Sequence, residues 1–325
     1  GRIEMLTKGV SLRGLEVFEA LAASGSVAQA AETTGLSQPA VSQQIRNLEN
    51  ALGTTLLDHG KRPMQLTPAG RSFLARTQAV LSELRIAQSE LTVMDLSHIS
   101  SMSIGIIDDF DNDMTPRLVT TLAESLTKCR FKMITASSND IAEMMRARTL
   151  HMGITATSGE VIDYALEIPL ARDPFILVTP SSVAPKGADL IKVMSELPFV
   201  RYERQQLISR QIDAHLARLK LEFPERFEIG SNLALMACVS RGIGWAITTP
   251  LGYMRAVRLH DQITAHPLPF AQFSRQISLL ASPDFADNVP RELAQSFRTM
   301  LQDKIIKPSL RAQPFLTGEF KLLSD

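Results

Sequence analysis

Apolar and polar positions recur with a helical period near the start of the chain, and they predict two short helices within residues 26–53. Gly35 supplies the left-handed turn between them. Ser37 has the chemistry of an N-cap, and Pro39 is suited to the first turn of the helix that follows. This second helix is predicted to bury four apolar residues at spacings of four, three and four, namely Val41, Ile45, Leu48 and Leu52.

The other side of the second helix carries flat or short hydrogen-bonding side chains and one cation, rather than the Lys and Glu of ordinary exposed faces. A helix that reads base edges in a major groove requires such side chains. The polar set is Gln38, Ser42, Gln43, Arg46 and Asn47. The pattern therefore favours a nucleic-acid reader, and a merely solvated helix face is the alternative.

The segments on either side of this pair complete a small module. A helix is predicted over residues 11–24, where apolar residues share one face. Residues 54–66 read as two short strands around a Gly-Lys-Arg-Pro turn, which is typical of a wing beside a helix-turn-helix. Lys61 and Arg62 would then meet phosphates, whereas the alternative is a surface hairpin with solvated charges.

A long helix is predicted after the hairpin, because Thr67 can cap it and Pro68 fits its first turn. It should run to about residue 94. Apolar residues recur along it at spacings of seven, three, seven and three, which indicates a seam for a partner helix. The seam consists of Leu74, Leu81, Leu84, Leu91 and Met94.

From residue 100 onward, strand patterns alternate with helix patterns, which predicts a parallel sheet with helices on both faces. Two such α/β units are expected, with the chain crossing between them near residues 169–180 and returning through residues 265–271.

The run Ser37-Gln38-Pro39-Ala40-Val41-Ser42, together with the later run Leu66-Thr67-Pro68-Ala69-Gly70, resembles the signature of LysR-type transcriptional regulators. The likeness covers almost the whole chain. It implies an α/β protein with an N-terminal winged helix-turn-helix, a long linker helix and a two-lobed periplasmic-binding-protein-like (type 2) effector domain. The implied function is sequence-specific transcription regulation controlled by a small molecule bound between the lobes.

The resemblance sets the expected domain boundaries. The DNA-binding domain is expected at 11–68, the linker (dimerisation) helix at 69–95 and the effector domain at 100–304. Within the last, lobe I takes 100–171 and 272–304 and lobe II takes 172–271. The tail, residues 305–325, has no counterpart in the family pattern.

The DNA contacts follow from the same likeness. The expected base-reading residues are Gln38, Pro39, Ser42 and Gln43, and the expected phosphate contacts are Ser26, Arg46, Lys61, Arg62 and Thr67. Between residues 38 and 76, five cations oppose two acids, although the whole chain has a formal net charge of +0. An excess of three can steer docking but is too small for tight binding by one copy, so linked copies are expected. The family implies a homodimer through the linker helix and a homotetramer. It also implies promoter DNA as a partner and leaves open whether RNA polymerase is another.

Ligands of open α/β sheets bind beyond the carboxyl ends of strands and at helix starts. That rule selects as effector-binding candidates Asp108, Asp109, Ser137, Ser138, Arg201, Tyr202, Arg204, Ser231, Asn232 and Thr248. Many relatives have Ser or Thr where this chain has the two acids. The acids favour an effector with a cationic or polyhydroxyl part, held by acid on one lobe and Arg on the other. The alternative is that they only cap loops and helices.

No catalytic motif and no metal-ligand spacing stands out, so neither an enzyme nor a cofactor is expected. Cys129 and Cys238 are far apart and favour buried core positions; a redox-responsive regulator that uses them is the alternative. No apolar run approaches the roughly 18 residues that span a bilayer. The first residues lack an apolar signal core, so the cytoplasm is the expected location. A solute-binding protein without a DNA role would leave residues 26–53 unexplained.

Overall fold

The computed structural model describes residues 7–92, 100–111, 113–184, 187–284 and 288–325. Contacts divide the chain into two units, one built by the N-terminal part and one by nearly all of the remainder. Among the described residues, no helix combines the length and the apolar character needed to cross a membrane. Met94 and the predicted helix end at residue 95 lie outside the described residues.

The first unit, here called the head, consists of four helices and a short hairpin. Its elements are α1 Leu12–Ser24, α2 Val27–Thr34, α3 Gln38–Leu52, β1 Leu57–Asp58, β2 Gln65–Leu66 and α4 Pro68–Thr92. The two strands pair antiparallel, as the hairpin pattern predicts. Phe18 and Leu21 of α1 pack with Val41, Ile45 and Leu48 of α3 in one buried core. The apolar side predicted for α3 is therefore confirmed.

The long helix α4 packs partly against the core of the head. Leu81 is only 3% exposed and belongs to the head core, and Leu74 packs against the same core. These two leucines are thus not available to a partner helix, contrary to the predicted seam. Among the side chains of α4 that the structure describes, the exposed large apolar ones are Val80 and Leu84, four residues apart on one face. The side chain of Leu91 lies outside the described ones. The heptad spacing did not distinguish the face of α4 that packs into the head from the face that is exposed, because apolar residues lie on both.

The second unit contains two lobes. Its strands are β3 Ser101–Ile106, β4 Arg130–Thr135, β5 Met152–Thr157, β6 Leu166–Pro174, β7 Ile176–Pro180, β8 Phe199–Tyr202, β9 Glu225–Ile229, β10 Ala246–Thr248, β11 Ile263–Pro267, β12 Ser274–Ala281 and β13 Lys321–Leu322. Its α-helices are α5 Met114–Ser125, α6 Ser138–Arg146, α7 Leu190–Glu196, α8 Leu207–Arg218, α9 Asn232–Ser240, α10 Pro250–Arg255, α11 Asn288–Leu301 and α12 Lys307–Ala312.

Each lobe is organised by its own strands. Lobe I has one sheet in the order β13-β6-β12-β5-β3-β4. In lobe II, β7 lies between β10 and β11, and β8 pairs with β9. Two backbone bonds join these groups, because Val200 donates to Trp245 and Trp245 donates to Pro198.

The sheets are mixed rather than purely parallel, which corrects the sequence prediction. β3 is parallel to β4 and β5, whereas β12 is antiparallel to both β5 and β6. In lobe II, β7 is antiparallel to both of its neighbours. The reason is the double crossover: β6 leads out of lobe I and β12 leads back into it beside β6. An outgoing and a returning strand that lie side by side must run in opposite directions.

The tail, for which the family pattern offered no counterpart, is part of lobe I. A π-helical turn, Gln302–Ile306, connects α11 to α12 and so carries the helix beyond its predicted end at residue 304. Strand β13 then pairs antiparallel with β6 at the edge of the sheet. Leu316 and Phe320 are almost fully buried. The tail therefore covers an edge that would otherwise expose unpaired backbone groups.

Candidate DNA-binding surface and effector cavity

The turn between α2 and α3 follows from local sequence. Ser26 caps α2 by accepting a hydrogen bond from the backbone N–H of Gln29 at 3.3 Å. Gly35 ends α2 with φ of 71°, in the left-handed region. Ser37 then caps α3 by accepting from the N–H of Ala40 at 3.2 Å. These short-range bonds hold α3 in place relative to α2.

The predicted reading face of α3 is presented to solvent. Gln38, Pro39, Gln43 and Arg46 are exposed and Ser42 is half-buried. Gln43 donates to the side chain of Asn47 at 2.7 Å and accepts from Arg46 at 3.0 Å. These partners lie three or four residues away on the same helix, so Gln43 can exchange them for a base edge without disturbing the core.

The wing carries two exposed cations whose side chains differ in their contacts. Lys61 lies 3.9 Å from Asp58, and Arg62 donates through one nitrogen to the carbonyls of His59 and Lys61. The outer part of the Arg62 guanidinium still has N–H groups with which to meet a phosphate.

Thr67 does not have the free donor that its predicted phosphate contact requires. Its hydroxyl donates to the carbonyl of Thr55 at 2.7 Å and accepts from the N–H of Gly70 at 3.0 Å. The reason is its position as the cap of α4, which the sequence also predicts. The Ser26 hydroxyl differs, because its described cap bond uses it only as an acceptor.

A cavity of about 370 Å³ lies in the second unit, beyond strand ends of both lobes. This volume is at the small end of the range for small-molecule sites. Seven of the ten predicted effector contacts line it: Asp108, Asp109, Ser137, Ser138, Tyr202, Ser231 and Asn232. The structure therefore brings most of the candidates chosen by strand ends and helix starts to one cavity.

The two predicted arginines of lobe II do not line this cavity. Arg201 is only 3% exposed and is bound by Asp213 at 2.5 Å and Glu225 at 2.8 Å. Arg204 is exposed and pairs with Glu225 at 2.6 Å. Arg201 and Tyr202 are adjacent in β8, so their side chains point to opposite faces, and Tyr202 takes the cavity side.

Thr248 is likewise behind the lining rather than in it. It is fully buried and lies 2.7 Å from the hydroxyl of Tyr202, which donates to Asn232 Oδ1 at 2.5 Å. Burial raises the pKa of Tyr202 well above its usual value, so the phenol stays protonated and remains a donor. Thr248 thus positions Tyr202, which in turn holds Asn232.

Arg275 is the principal cavity residue that sequence reasoning missed. It lines the cavity from the start of β12, donates to Asp109 at 2.9 Å and donates to Asp173 at 2.8 Å. Arg275 and Asp173 are directly opposite each other in the β12–β6 pair. The available signal was a single cation at the start of an apolar strand, which did not reveal its two distant partners.

The acids of the cavity are in unequal environments. Asp109 is neutralised at close range by Arg275, whereas the side chain of Asp108 is 48% exposed and lies 3.7 Å from Arg255. Burial raises the pKa of Asp108, and Arg255 opposes this only in part. Burial likewise raises the pKa of Asp173 to about 6 despite the contact with Arg275.

Asn139, which directly follows the predicted contacts Ser137 and Ser138, connects the lobes beside the cavity. Its amide donates to the carbonyl of Gln205 at 2.7 Å and its Oδ1 accepts from the N–H of Leu207 at 3.1 Å. Gln211 makes a second connection by donating to the carbonyl of Thr157 at 3.3 Å.

The two cysteines are unpaired and half-buried, so they are less buried than the predicted core positions. Burial raises the pKa of the Cys129 thiol. A raised pKa reduces the thiolate fraction on which oxidation depends. Among the described residues, no group of three or more His, Cys, Asp and Glu side chains could hold a metal ion.

Both parts of the chain match models of one protein family. Residues 12–71 match the family model described as bacterial regulatory helix-turn-helix protein, lysR family, and residues 99–305 match the LysR substrate binding domain. The chain is 25% identical over 285 residues to the probable RuBisCO transcriptional regulator of Thalassiosira pseudonana, covering 84% of this chain and 92% of the relative. It is 25% identical over 289 residues to the HTH-type transcriptional regulator TdcA of Escherichia coli (strain K12), covering 87% and 92%.

A solved structure extends the likeness to the fold. A variant of full-length OxyR from Pseudomonas aeruginosa aligns with a TM-score of 0.69 at 20% identity, covering 89% of this chain and 95% of that chain. The substrate-binding-domain model alone matches more than half of the chain. The chain therefore belongs to the LysR family of DNA-binding transcriptional regulators, with an N-terminal helix-turn-helix followed by a substrate-binding domain.

Proposed function

We propose that α3 enters the major groove of promoter DNA and reads bases with Gln38, Pro39, Ser42 and Gln43. The observation that carries this proposal is that Gln38, Pro39 and Gln43 are exposed and Ser42 is half-buried on a helix whose other side lies in the head core. Amide side chains can bond adenine N6 and N7, and Ser can bond several base edges. Ser26, Arg46, Lys61 and Arg62 would contact phosphates, which fix register without reading sequence. Thr67 would act through its cap of α4.

Two linked heads would provide the affinity that one head lacks. The exposed pair Val80 and Leu84 on α4 supports a homodimer through this helix, because a partner helix would remove both side chains from water. Pairing of dimers into a tetramer would add further half-sites and raise avidity. This proposal gives the chain a binding role on DNA rather than a catalytic one.

The effector would occupy the cavity of about 370 Å³ between the lobes. Asp108 is its most accessible acid and would hold a cationic or polyhydroxyl part of the ligand. The starts of α6 and α9, which carry the positive end of each helix dipole, favour an anionic group on the same molecule. To act as a switch, this ligand must bind two lobe arrangements unequally.

The test is a mobility-shift titration of the full chain against the DNA upstream of its own gene, with unrelated DNA of equal length as competitor. Replacing both Ser42 and Gln43 by Ala should lower the ratio of specific to unrelated binding about tenfold or more, because each base contact is worth roughly 1–3 kcal/mol. Asn50→Ala, also on the exposed surface of α3, is the control and should leave the ratio unchanged.

The wing contact has a different signature. Arg62→Ala should weaken binding to both DNAs equally and reduce the slope of log K against log salt by about 1. Arg13→Ala removes an exposed cation of α1 instead and is the matched control. If the two variants alter the slope equally, the wing does not dock on the phosphates.

A further inference from the structure

A second cavity, of about 190 Å³, lies in the same unit behind the short 3₁₀ turn Asp108–Phe110. Its lining is mainly apolar. Its walls are formed by this turn and the start of α5, by α10 and Val257, and by the π-helical turn Gln302–Ile306. The apolar side chains that line it are Phe110, Met114, Leu251, Met254, Val257 and Ile305.

The size of this cavity limits what it can hold. A cavity of about 150 Å³ lined by Leu, Ile and Phe accommodates benzene in another protein. The cavity here is slightly larger and is lined by comparable side chains. It can therefore take one six-membered ring with a short substituent. Val257 is 55% exposed, so the ring would also cover apolar surface that now faces water.

The charges at the rim favour an anionic substituent. Two acids border the cavity, but Asp113 binds Arg117 at 2.6 Å and Asp109 binds Arg275 at 2.9 Å. Lys304 is an exposed rim cation, and within the described part of the chain no carboxylate forms an ion pair with it. A carboxylate on the ligand would supply that partner.

The backbone at this rim is also unusual. Lys304 and Ile305 belong to the π-helical turn Gln302–Ile306, which interrupts the run from α11 to α12. Such turns are rare and occur frequently at functional sites. The turn places a cation and an apolar side chain next to each other on the cavity wall, which is the pairing that an apolar carboxylate requires.

We propose that this cavity is a second ligand site, for a small carboxylate with a single apolar ring, whose charge is held by Lys304. The site adds to the proposed effector cavity and does not depend on it. It shares a boundary with that cavity, because Asp109 lines both and Arg255, on its wall, donates to the carbonyl of Asp108 at 3.2 Å. Occupancy of one site would therefore alter the other, with reciprocal coupling.

The test uses phenylacetate and the full chain labelled with ¹³C at the methionine methyl groups. Met114 and Met254 line the second cavity, whereas none of the described methionines lines the first. Phenylacetate should shift the resonances of these two methyls through its ring current, with a dissociation constant on the order of 1 mM for ten non-hydrogen atoms. Phenylacetamide, its neutral isostere, should bind about fivefold more weakly, and benzylammonium should not bind.

Two variants test whether the ring and its carboxylate occupy this cavity. Lys304→Gln should weaken phenylacetate about fivefold, whereas Lys307→Gln, an exposed cation outside the cavity, should not. Met254→Trp should abolish binding by filling the cavity. Equal binding of benzylammonium, an unaffected Lys304→Gln variant, or shifts confined to methionines elsewhere in the chain would overturn the proposal. The proposal would also be overturned if dilution of the protein without phenylacetate shifted the Met254 resonance in the same way, because a second copy of the chain would then cover this face.

Discussion

The head and the cavity unit build their sites in opposite ways. The reading face of α3 comes from one stretch of ten residues, and its side chains bond to partners three or four positions away. The effector cavity collects residues from six separate segments between positions 107 and 275. Its central bond, between Arg275 and Asp109, joins residues 166 positions apart. A site made by one helix can be inferred from periodicity, whereas a site made by a double crossover depends on strand pairing.

The two sites also differ in how deeply their polar side chains are buried. The polar side chains on the reading face of α3 are exposed, except for the half-buried Ser42, so replacing them should change DNA binding and leave stability nearly unchanged. The polar groups around Arg275 are buried and bonded to one another, so replacing them should change stability and ligand binding together. Substitutions that separate folding from binding in each unit can test this contrast.

The largest expected effect comes from Gly70→Ala, which would destabilise the head through a clash with its backbone. A Cβ at this position would lie 1.9 Å from the carbonyl oxygen of Leu56, and neither backbone can move without disrupting the first turn of α4. We expect a loss of about 4 kcal/mol or more, beyond ordinary overpacking. Hydrogen exchange should then rise across residues 7–88 and specific DNA binding should be lost, while residues 100–325 stay protected.

Gly60→Ala is the control for this variant. A Cβ there would lie 3.4 Å from Asp58 Oδ1, an ordinary contact, so the head should keep its protection and its DNA binding. Equal deprotection of the second unit by Gly70→Ala would contradict the independence of the two units.

The elements whose local signals agree were predictable from sequence. The helix predicted over residues 11–24 occurs at Leu12–Ser24, because the Ser11 cap and the apolar periodicity both mark it. Helix α10 was missed, although Thr249 caps it and Pro250 starts it, because six residues are too few to show a period. The family membership and the fold class predicted from the motifs are confirmed by the family matches.

What could not be predicted depends on contacts between distant segments. Nothing near Arg201 in sequence shows that Asp213 and Glu225 would hold it away from the cavity. Nothing near Arg275 shows that Asp109 and Asp173 would hold it in place. The two arginines differ in role only once the strands are paired. The tail is a similar case, since β13 acquires its partner only from the edge of β6.

Arg275→Met should have the next largest effect and should act on the second unit alone. The variant leaves Asp173 buried without its cation, and breaking such a pair costs about 3 kcal/mol. Met fills similar space, so lost packing contributes little. Urea denaturation should show lower stability for residues 100–325, while mobility shifts with unrelated DNA stay as in the parent chain. Weakened binding to unrelated DNA would show that the two units are not separable.

The smallest of the three effects is a pH dependence that should belong to Asp173. Its native pKa of about 6 exceeds the usual 3.8, so between these values the folded protein holds a proton that the unfolded chain has released. Stability from this group is therefore full below about pH 4 and is lost as the pH rises through 6, and between pH 4.5 and 7 the loss is about 2 kcal/mol. Asp173→Asn should remove that decline in urea titrations at pH 4.5 and 7. Asp325→Asn is a control of opposite sign, because the hydrogen bond from Arg298 lowers the pKa of Asp325 and stabilises the fold only above its usual range. If Asp173→Asn leaves the difference in stability between pH 4.5 and pH 7 unchanged, Asp173 is ionised beside Arg275 throughout this range and contributes no pH dependence to the stability of the unit.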